Sequence, residues 1–294
     1  MNTVNSLCEL NSGHDAGPTE SVVFQGEAER ILRRLPSGFF RCCVTSPPYW
    51  GLRDYRVPDQ IGAEGNPDDY VRRLVSVLEC VRRVLTEDGT LWLNIGDSYT
   101  SGNRGYRAPD KKNPIRAMSY RARTPEGLKP KDLIGIPWRL AFALQEAGWY
   151  LRGDIIWEKP NCMPESVKDR PTRSHEYVFL LSKSPKYYYD HASAREAGGR
   201  NRRTVWSIPT EPFPGAHFAT FPRALVEPCI LVGSRPRDWV LDPFFGSGTV
   251  GVVCEQQHRN YVGIELNPEY VELAVRRIRN TDRLLFPYDR ERAG

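Results

Sequence analysis

Residues 238–265, DWVLDPFFGSGTVGVVCEQQHRNYVGIE, decide the fold. Asp238 to Leu241 reads as a short buried strand. Asp242 to Thr249 is a glycine turn, an apolar helix runs on to about His258, and Tyr261 to Glu265 is a second strand. Strand, turn, helix and strand in that order make a βαβ unit, with parallel strands joined by a crossover helix. Gly246 and Gly248 let the turn pass close to a ligand. Glu265, about 20 residues past the turn, ends the next strand, where a carboxylate can accept from both hydroxyls of a ribose. That pairing is what an adenosine-containing cofactor requires. Gly246-Ser247-Gly248-Thr249-Val250-Gly251 also matches the dinucleotide fingerprint in letters, which alone is weak. Without a ligand the same turn would serve only tight packing.

The alternation continues on either side. After it comes a helix from Pro268 to Arg279, whose Arg276, Arg277 and Arg279 read as a solvated end complementing the helix dipole. Before it, Val22 to Gln25 is a strand, Glu27 to Leu35 a helix, and Phe40 to Thr45 a buried strand that stops at Ser46-Pro47-Pro48. Asn66-Pro67-Asp68-Asp69 is a helix start, with a capping Asn, Pro in the first turn and acids at the positive end of the dipole. Thr90 to Ile95 is a strand after Gly89. Pro137 to Ala147 is a helix stopped by Gly148, and Tyr150 to Trp157 and Glu176 to Ser182 are strands. Tyr187-Tyr188-Tyr189 reads as an amphipathic strand end. His175-Glu176 reads as structural, since no second metal ligand lies at suitable spacing. The pattern predicts an α/β fold, a doubly wound, mainly parallel sheet with helices on both faces. Residues 1–20 read as a loose arm and 21–294 as one domain. Two irregular segments, about 98–133 and 191–216, interrupt the alternation.

Composition narrows the class. Of the 294 residues, 40% are hydrophobic and 26% charged, which argues against a mainly disordered chain. No apolar run reaches the 18 or so residues of a membrane span, and no secretory signal is visible, so a cytoplasmic chain is expected. The seven cysteines show no CxxC spacing. Cys42, Cys43, Cys229 and Cys254 lie in apolar runs and read as buried thiols of a reducing compartment, with no metal site.

A second constellation, Val44-Thr45-Ser46-Pro47-Pro48-Tyr49-Trp50, also follows a strand. Two prolines fix φ and remove two backbone donors, so the carbonyls there are held rigid and outward. One hydroxyl and one aromatic ring sit beside them. A planar base with an exocyclic amine needs acceptors for its N–H groups and a ring for its face. The bland alternative is a Pro-Pro loop that merely ends a strand.

Together the two constellations resemble the DNA amino-methyltransferases. Thr45-Ser46-Pro47-Pro48-Tyr49 is similar to that family's catalytic motif, in the serine form typical of cytosine-N4 enzymes; adenine-N6 members usually carry Asp or Asn at the Ser46 position. Asp242 to Thr249 resembles the family's S-adenosylmethionine loop, Glu265 its ribose-binding acid, and His217-Phe-Ala-Thr-Phe221-Pro222 the segment holding the methionine part. Gly26-Glu27 stands where the family often has Gly-Asp. The order, catalytic motif first and cofactor loop last, is the circularly permuted β class, and the resemblance spans about residues 21–280.

The resemblance implies methyl transfer from S-adenosylmethionine to N4 of a cytosine flipped out of double-stranded DNA. It implies catalytic roles for Ser46, Pro47, Pro48 and Tyr49. It implies cofactor contacts for Asp242, Phe244, Gly246, Ser247, Gly248, Thr249, Glu265, Asn267, Phe221 and Glu27. Ser46 Oγ and the Pro47 carbonyl would accept from the amine, and Tyr49 would stack on the base. A cognate restriction endonuclease would be a partner in function and not a subunit; the chain itself would be a monomer or homodimer. Adenine-N6 methylation by the same fold is the near alternative. A nicotinamide-dependent oxidoreductase is the distant one and leaves Ser46 to Tyr49 unexplained. Cytosine-C5 chemistry needs a nucleophilic cysteine after a proline, and Pro228-Cys229 supplies the letters but sits in an apolar stretch that reads as core.

Charge distribution points to the same partner. The net charge of +5 is mild. Residues 101–131 hold nine cations (Arg104, Arg107, Lys111, Lys112, Arg116, Arg121, Arg123, Lys129 and Lys131) against two acids, a net +7. Residues 195–203 hold Arg195, Arg200, Arg202 and Arg203 against one acid, a net +3, leaving −5 for the rest. These segments read as phosphate-contacting and target-recognition loops.

Overall fold

A computed structural model describes residues 20–52, 57, 60–100, 124–196, 198–211 and 221–281. The elements in chain order are β1 (Ser21–Gln25), α1 (Ala28–Leu32), β2 (Phe40–Thr45), α2 (Pro67–Val84), β3 (Leu85–Ile95), α3 (Ile136–Glu146), β4 (Tyr150–Glu158), β5 (His175–Ser182), β6 (Val205–Ser207), α4 (Arg223–Gly233), β7 (Trp239–Asp242), α5 (Thr249–Gln256), β8 (Asn260–Glu265) and α6 (Pro268–Arg279). The predicted helix start at Asn66 is present: its side chain accepts from the Asp69 N–H at 2.8 Å, and Pro67 occupies the first turn.

The eight strands of the described residues form one sheet in the order β1-β8-β7-β2-β3-β5-β4-β6. All pairings are parallel except those of β5, which runs against both β3 and β4. Side chains alternate between the two faces, and helices cover both faces of the central strands β2, β7 and β8, which are almost wholly buried. Cys43, Leu241, Val262 and Ile264 belong to the core beneath α1, α2 and α3. Their neighbours Cys42, Val44, Val240 and Tyr261 belong to the core beneath α4, α5 and α6. This is the doubly wound α/β arrangement that the alternation predicts. Cys42, Cys43, Cys229 and Cys254 are buried free thiols; Cys229 lies inside α4, where burial pushes its thiol well up in pKa.

Three local expectations are corrected. β3 begins at Leu85, not Thr90: Leu85 pairs with Phe40, and the register then shifts to put Thr90 opposite Cys42, so Gly89 sits in a bulge within the strand. The basic segment 191–216 is not wholly irregular, because Val205–Ser207 add a parallel edge strand to β4. Tyr187 to Tyr189 lie beyond the end of β5. The Tyr188 ring lies within 5.8 Å of the Arg41 guanidinium and 4.6 Å of that of Arg235, cation–π contacts that alternation in a sequence does not reveal.

Candidate active site

Parallel strands bring their carboxyl ends to one edge of the sheet. β2 and β7 are neighbours, so Thr45-Ser46-Pro47-Pro48-Tyr49 and the glycine turn, 197 residues apart from Thr45 to Asp242, meet there. The junction is a side-chain hydrogen bond: the Thr45 hydroxyl donates to Asp242 Oδ1 at 2.6 Å, and both residues are fully buried. Asp242 Oδ1 also accepts from the Phe244 N–H at 3.0 Å. Burial raises the Asp242 carboxyl to about 7, with the Thr45 bond opposing the shift. Its Oδ2 is buried and has no partner among the described residues.

The turn depends on its glycines, and Gly248 also packs on α6, where a Cβ would lie 2.9 Å from Ala274 Cβ. Gly246 and Gly248 adopt φ of +50° and +77°. Glu265, at the end of β8, accepts from the Gly246 N–H at 2.7 Å and the Asn267 N–H at 2.8 Å, which locks the turn to the next strand. Burial nonetheless raises its carboxyl. Gly251 and Gly263 are packing glycines: a Cβ on Gly251 would lie 2.6 Å from Ile278 Cδ1, and one on Gly263 2.5 Å from the Phe245 ring. The Ser247 and Thr249 hydroxyls face inward to Arg277, whose guanidinium bonds them at 3.0 and 2.9 Å. Arg277 is thus a half-buried clamp on the turn, not part of a solvated helix end, and desolvation lowers its pKa. Asn267 caps α6 through the Glu269 N–H, and the Glu27 carboxylate caps α1 through the Glu29 and Arg30 N–H groups. Phe244 and Phe221 are half-buried, packed on opposite faces of the sheet. His217 lies outside the described residues.

On the other side of the junction, Ser46 and Tyr49 are half-buried and Pro47 is buried. The Pro48 carbonyl does not face outward as expected: it accepts from the Tyr70 hydroxyl at 2.8 Å. The Tyr49 hydroxyl donates to Glu176 Oε2 at 2.6 Å, and Ser46 Oγ lies 3.5 Å from it. Burial, and then the Glu176 carboxylate, raises the Tyr49 phenol well above its ordinary pKa. Glu176 also accepts from Asn94 Nδ2 at 3.2 Å and pairs with Lys159. Gly96 makes room, since a Cβ there would lie 2.7 Å from the Tyr49 ring. Sequence reading misses Glu176, Lys159, Asn94 and Gly96. Glu176, which reads with His175 as structural, reaches the site because β5 alone is antiparallel, which puts its start beside the end of β3.

Arg200, Arg202 and Arg203 are exposed just ahead of β6, with Arg202 5.1 Å over the Trp206 ring. The structure places them three strands beyond β3, not at the Ser46 cluster. Arg104, Arg107, Lys111, Lys112, Arg116, Arg121 and Arg123 lie outside the described residues. The ends of their segment are pinned beside the site: Thr100 N–H donates to the Asp132 carbonyl at 2.9 Å, and Ile134 N–H to that of Ser98 at 3.0 Å. Among the described residues no helix is long and apolar enough to cross a membrane.

A glycine turn tied to a strand-end carboxylate meets a Pro-Pro motif on one edge of a doubly wound sheet, and the relatives of the chain give the class, a methyltransferase that uses S-adenosylmethionine. The N6_N4_Mtase family of DNA methylases matches residues 40–276. The chain is 67% identical over 276 residues to the Type II methyltransferase M.Cfr9I of Citrobacter freundii, covering 92% of each. It is 64% identical to M.SmaI of Serratia marcescens over 87% of this chain and 90% of that one. Among solved structures, the cytosine-N4-specific PvuII DNA methyltransferase superposes with a TM-score of 0.69 at 21% identity, over 91% of this chain and 95% of that one. A Thermus thermophilus protein complexed with S-adenosyl-L-methionine superposes with a TM-score of 0.64 at 23% identity, over 90% and 97%. This chain belongs to the N6/N4 DNA methylase family.

Proposed function

We propose that this chain methylates N4 of cytosine in duplex DNA, as the modification enzyme of a Type II restriction–modification pair, on a base turned out of the helix. The observation that carries this reading is Ser46. The hydroxyl at the head of the Pro-Pro motif is neutral and lies beside the Thr45–Asp242 bond that joins the motif to the cofactor turn. The name of the M.Cfr9I relative and the N4 specificity of the PvuII enzyme support it.

The residues fit the cofactor. The orphaned Asp242 Oδ2 is left to hydrogen-bond a ligand, the Glu265 carboxylate would accept from the ribose, and Gly246, with no Cβ and a positive φ, would let the backbone come close to it. Phe244 and Phe221 would flank it, with Ser247, Thr249, Asn267 and Glu27 shaping the walls. When bound, S-adenosylmethionine supplies a sulfonium methyl open to direct displacement. The amine of cytosine is a poor nucleophile because its lone pair is delocalised into the ring. Ser46 Oγ and the Pro47 carbonyl would accept its two N–H groups and draw the nitrogen towards a tetrahedral geometry, with the lone pair aimed at the methyl. Tyr49 would stack on the base. Holding both reactants in line is the main contribution, on the order of several kcal/mol. The domain from residue 21 would carry this chemistry, and the basic segments would grip DNA phosphates.

Mass spectrometry of nucleosides from DNA incubated with the enzyme and S-adenosylmethionine tests the base. N4-methylcytosine is the expected product. N6-methyladenine alone would replace this reading by the adenine one.

A further inference from the structure

Lys159 and Glu176 form an ion pair at the site, and the mechanism above does not use it. Lys159 follows β4 and Glu176 stands at the start of β5; their side chains are 18% and 15% exposed. Desolvating such a pair is costly, and well-packed apolar residues often serve stability as well. The pair therefore calls for another explanation, and the direction of its hydrogen bonds supplies one.

An ionised carboxylate only accepts. Glu176 Oε1 accepts from Lys159 Nζ, and Oε2 accepts from Asn94 Nδ2 at 3.2 Å and from the Tyr49 hydroxyl at 2.6 Å. Asn94 Oδ1 lies 3.3 Å from the same hydroxyl, so the single phenol proton goes to the nearer, charged acceptor. The Tyr49 oxygen then has only lone pairs to offer Ser46 Oγ, 3.5 Å away, and Ser46 is the donor of that contact. A serine hydroxyl has one proton. With that proton turned towards Tyr49, the remaining lone pairs of Ser46 are left to accept.

We infer that Glu176, held by Lys159 and Asn94, is a positioning residue that fixes the direction of the Tyr49–Ser46 hydrogen bonds, so that Ser46 Oγ presents lone pairs and not a proton to the target amine. This rests on the amine-methylation reading. Glu176 touches neither substrate nor cofactor in it; it acts through Tyr49.

Glu176→Gln keeps the shape, but its amide can donate to Tyr49 and reverse the chain. The expected result is a fall in kcat of about tenfold or more, with KM for DNA and Kd for S-adenosylmethionine each within about twofold of wild type. Tyr49→Phe keeps the ring and the ion pair and loses a similar factor, so the relay is read even where Glu176→Gln folds poorly. In the double variant the two losses do not multiply. Wild-type kcat in either single variant, or losses that multiply, would overturn the positioning role. Ser46→Ala separates the two levels. Full activity of that variant defeats the amine-methylation reading itself; an inactive Ser46→Ala beside a fully active Glu176→Gln defeats only the role of Glu176.

Discussion

Asp242 shows how one residue serves two neighbours. Its carboxyl is fully buried, tied to Thr45 on one strand and to its own turn through Phe244. Burial penalises the charged form, so the carboxyl rises from 3.8 to about 7. Between those values the folded chain keeps a proton that the unfolded chain has released. The stability that this group contributes is therefore complete below about pH 4 and is lost as pH rises through 7. Asp242→Asn removes that dependence. Urea unfolding across pH 4 to 7 is expected to show the variant gaining on wild type by about 1.4 kcal/mol per pH unit at the steepest. Parallel curves would mean that the carboxyl is ionised in the folded chain.

At the scale of elements, α6 and β5 do what their residue patterns do not announce. α6 delivers Arg277 under the glycine turn, where it holds the Ser247 carbonyl and the hydroxyls of Ser247 and Thr249. Arg277→Met keeps the apolar stem and deletes these bonds. Loss of one to two net hydrogen bonds predicts an affinity for S-adenosylmethionine weaker by about tenfold, measured by titration calorimetry. Unchanged affinity would show that the two glycines and Glu265 hold the turn without the clamp. β5 matters through its direction. A parallel strand in its place would carry His175 and Glu176 to the far edge of the sheet, away from Tyr49.

For the whole molecule, charge is a matter of distribution. The mild net charge of +5 conceals basic segments of +7 and +3 on a body of −5. The larger segment leaves and rejoins the fold through Ser98–Thr100 and Asp132–Ile134, next to the edge where Ser46 and Asp242 meet. Substituting Lys111 and Lys112 together by Ala is expected to weaken DNA binding and to lower the slope of log affinity against log salt by about 1.8, the value for two phosphate contacts. An unchanged slope would assign those lysines to solvent.

Much of this is legible in the chain itself. Residues 238–265 carry a strand, a turn, a helix and a second strand because each is dictated by near neighbours: apolar runs and glycines that accept positive φ. The Pro-Pro motif is legible for the same reason, since proline restricts its own backbone whatever surrounds it. By itself, then, the sequence determined the α/β alternation, the two motifs and their order. Only the tertiary structure decided which side chains meet at them. Glu176 reaches Tyr49 across 127 residues, and Arg277 reaches Ser247 from α6, a helix and a strand further along the chain. The Pro48 carbonyl turns to Tyr70 instead of outward. These contacts depend on strand order and on the reversal of β5, which follow from how the whole chain buries its two apolar faces and not from any local spacing.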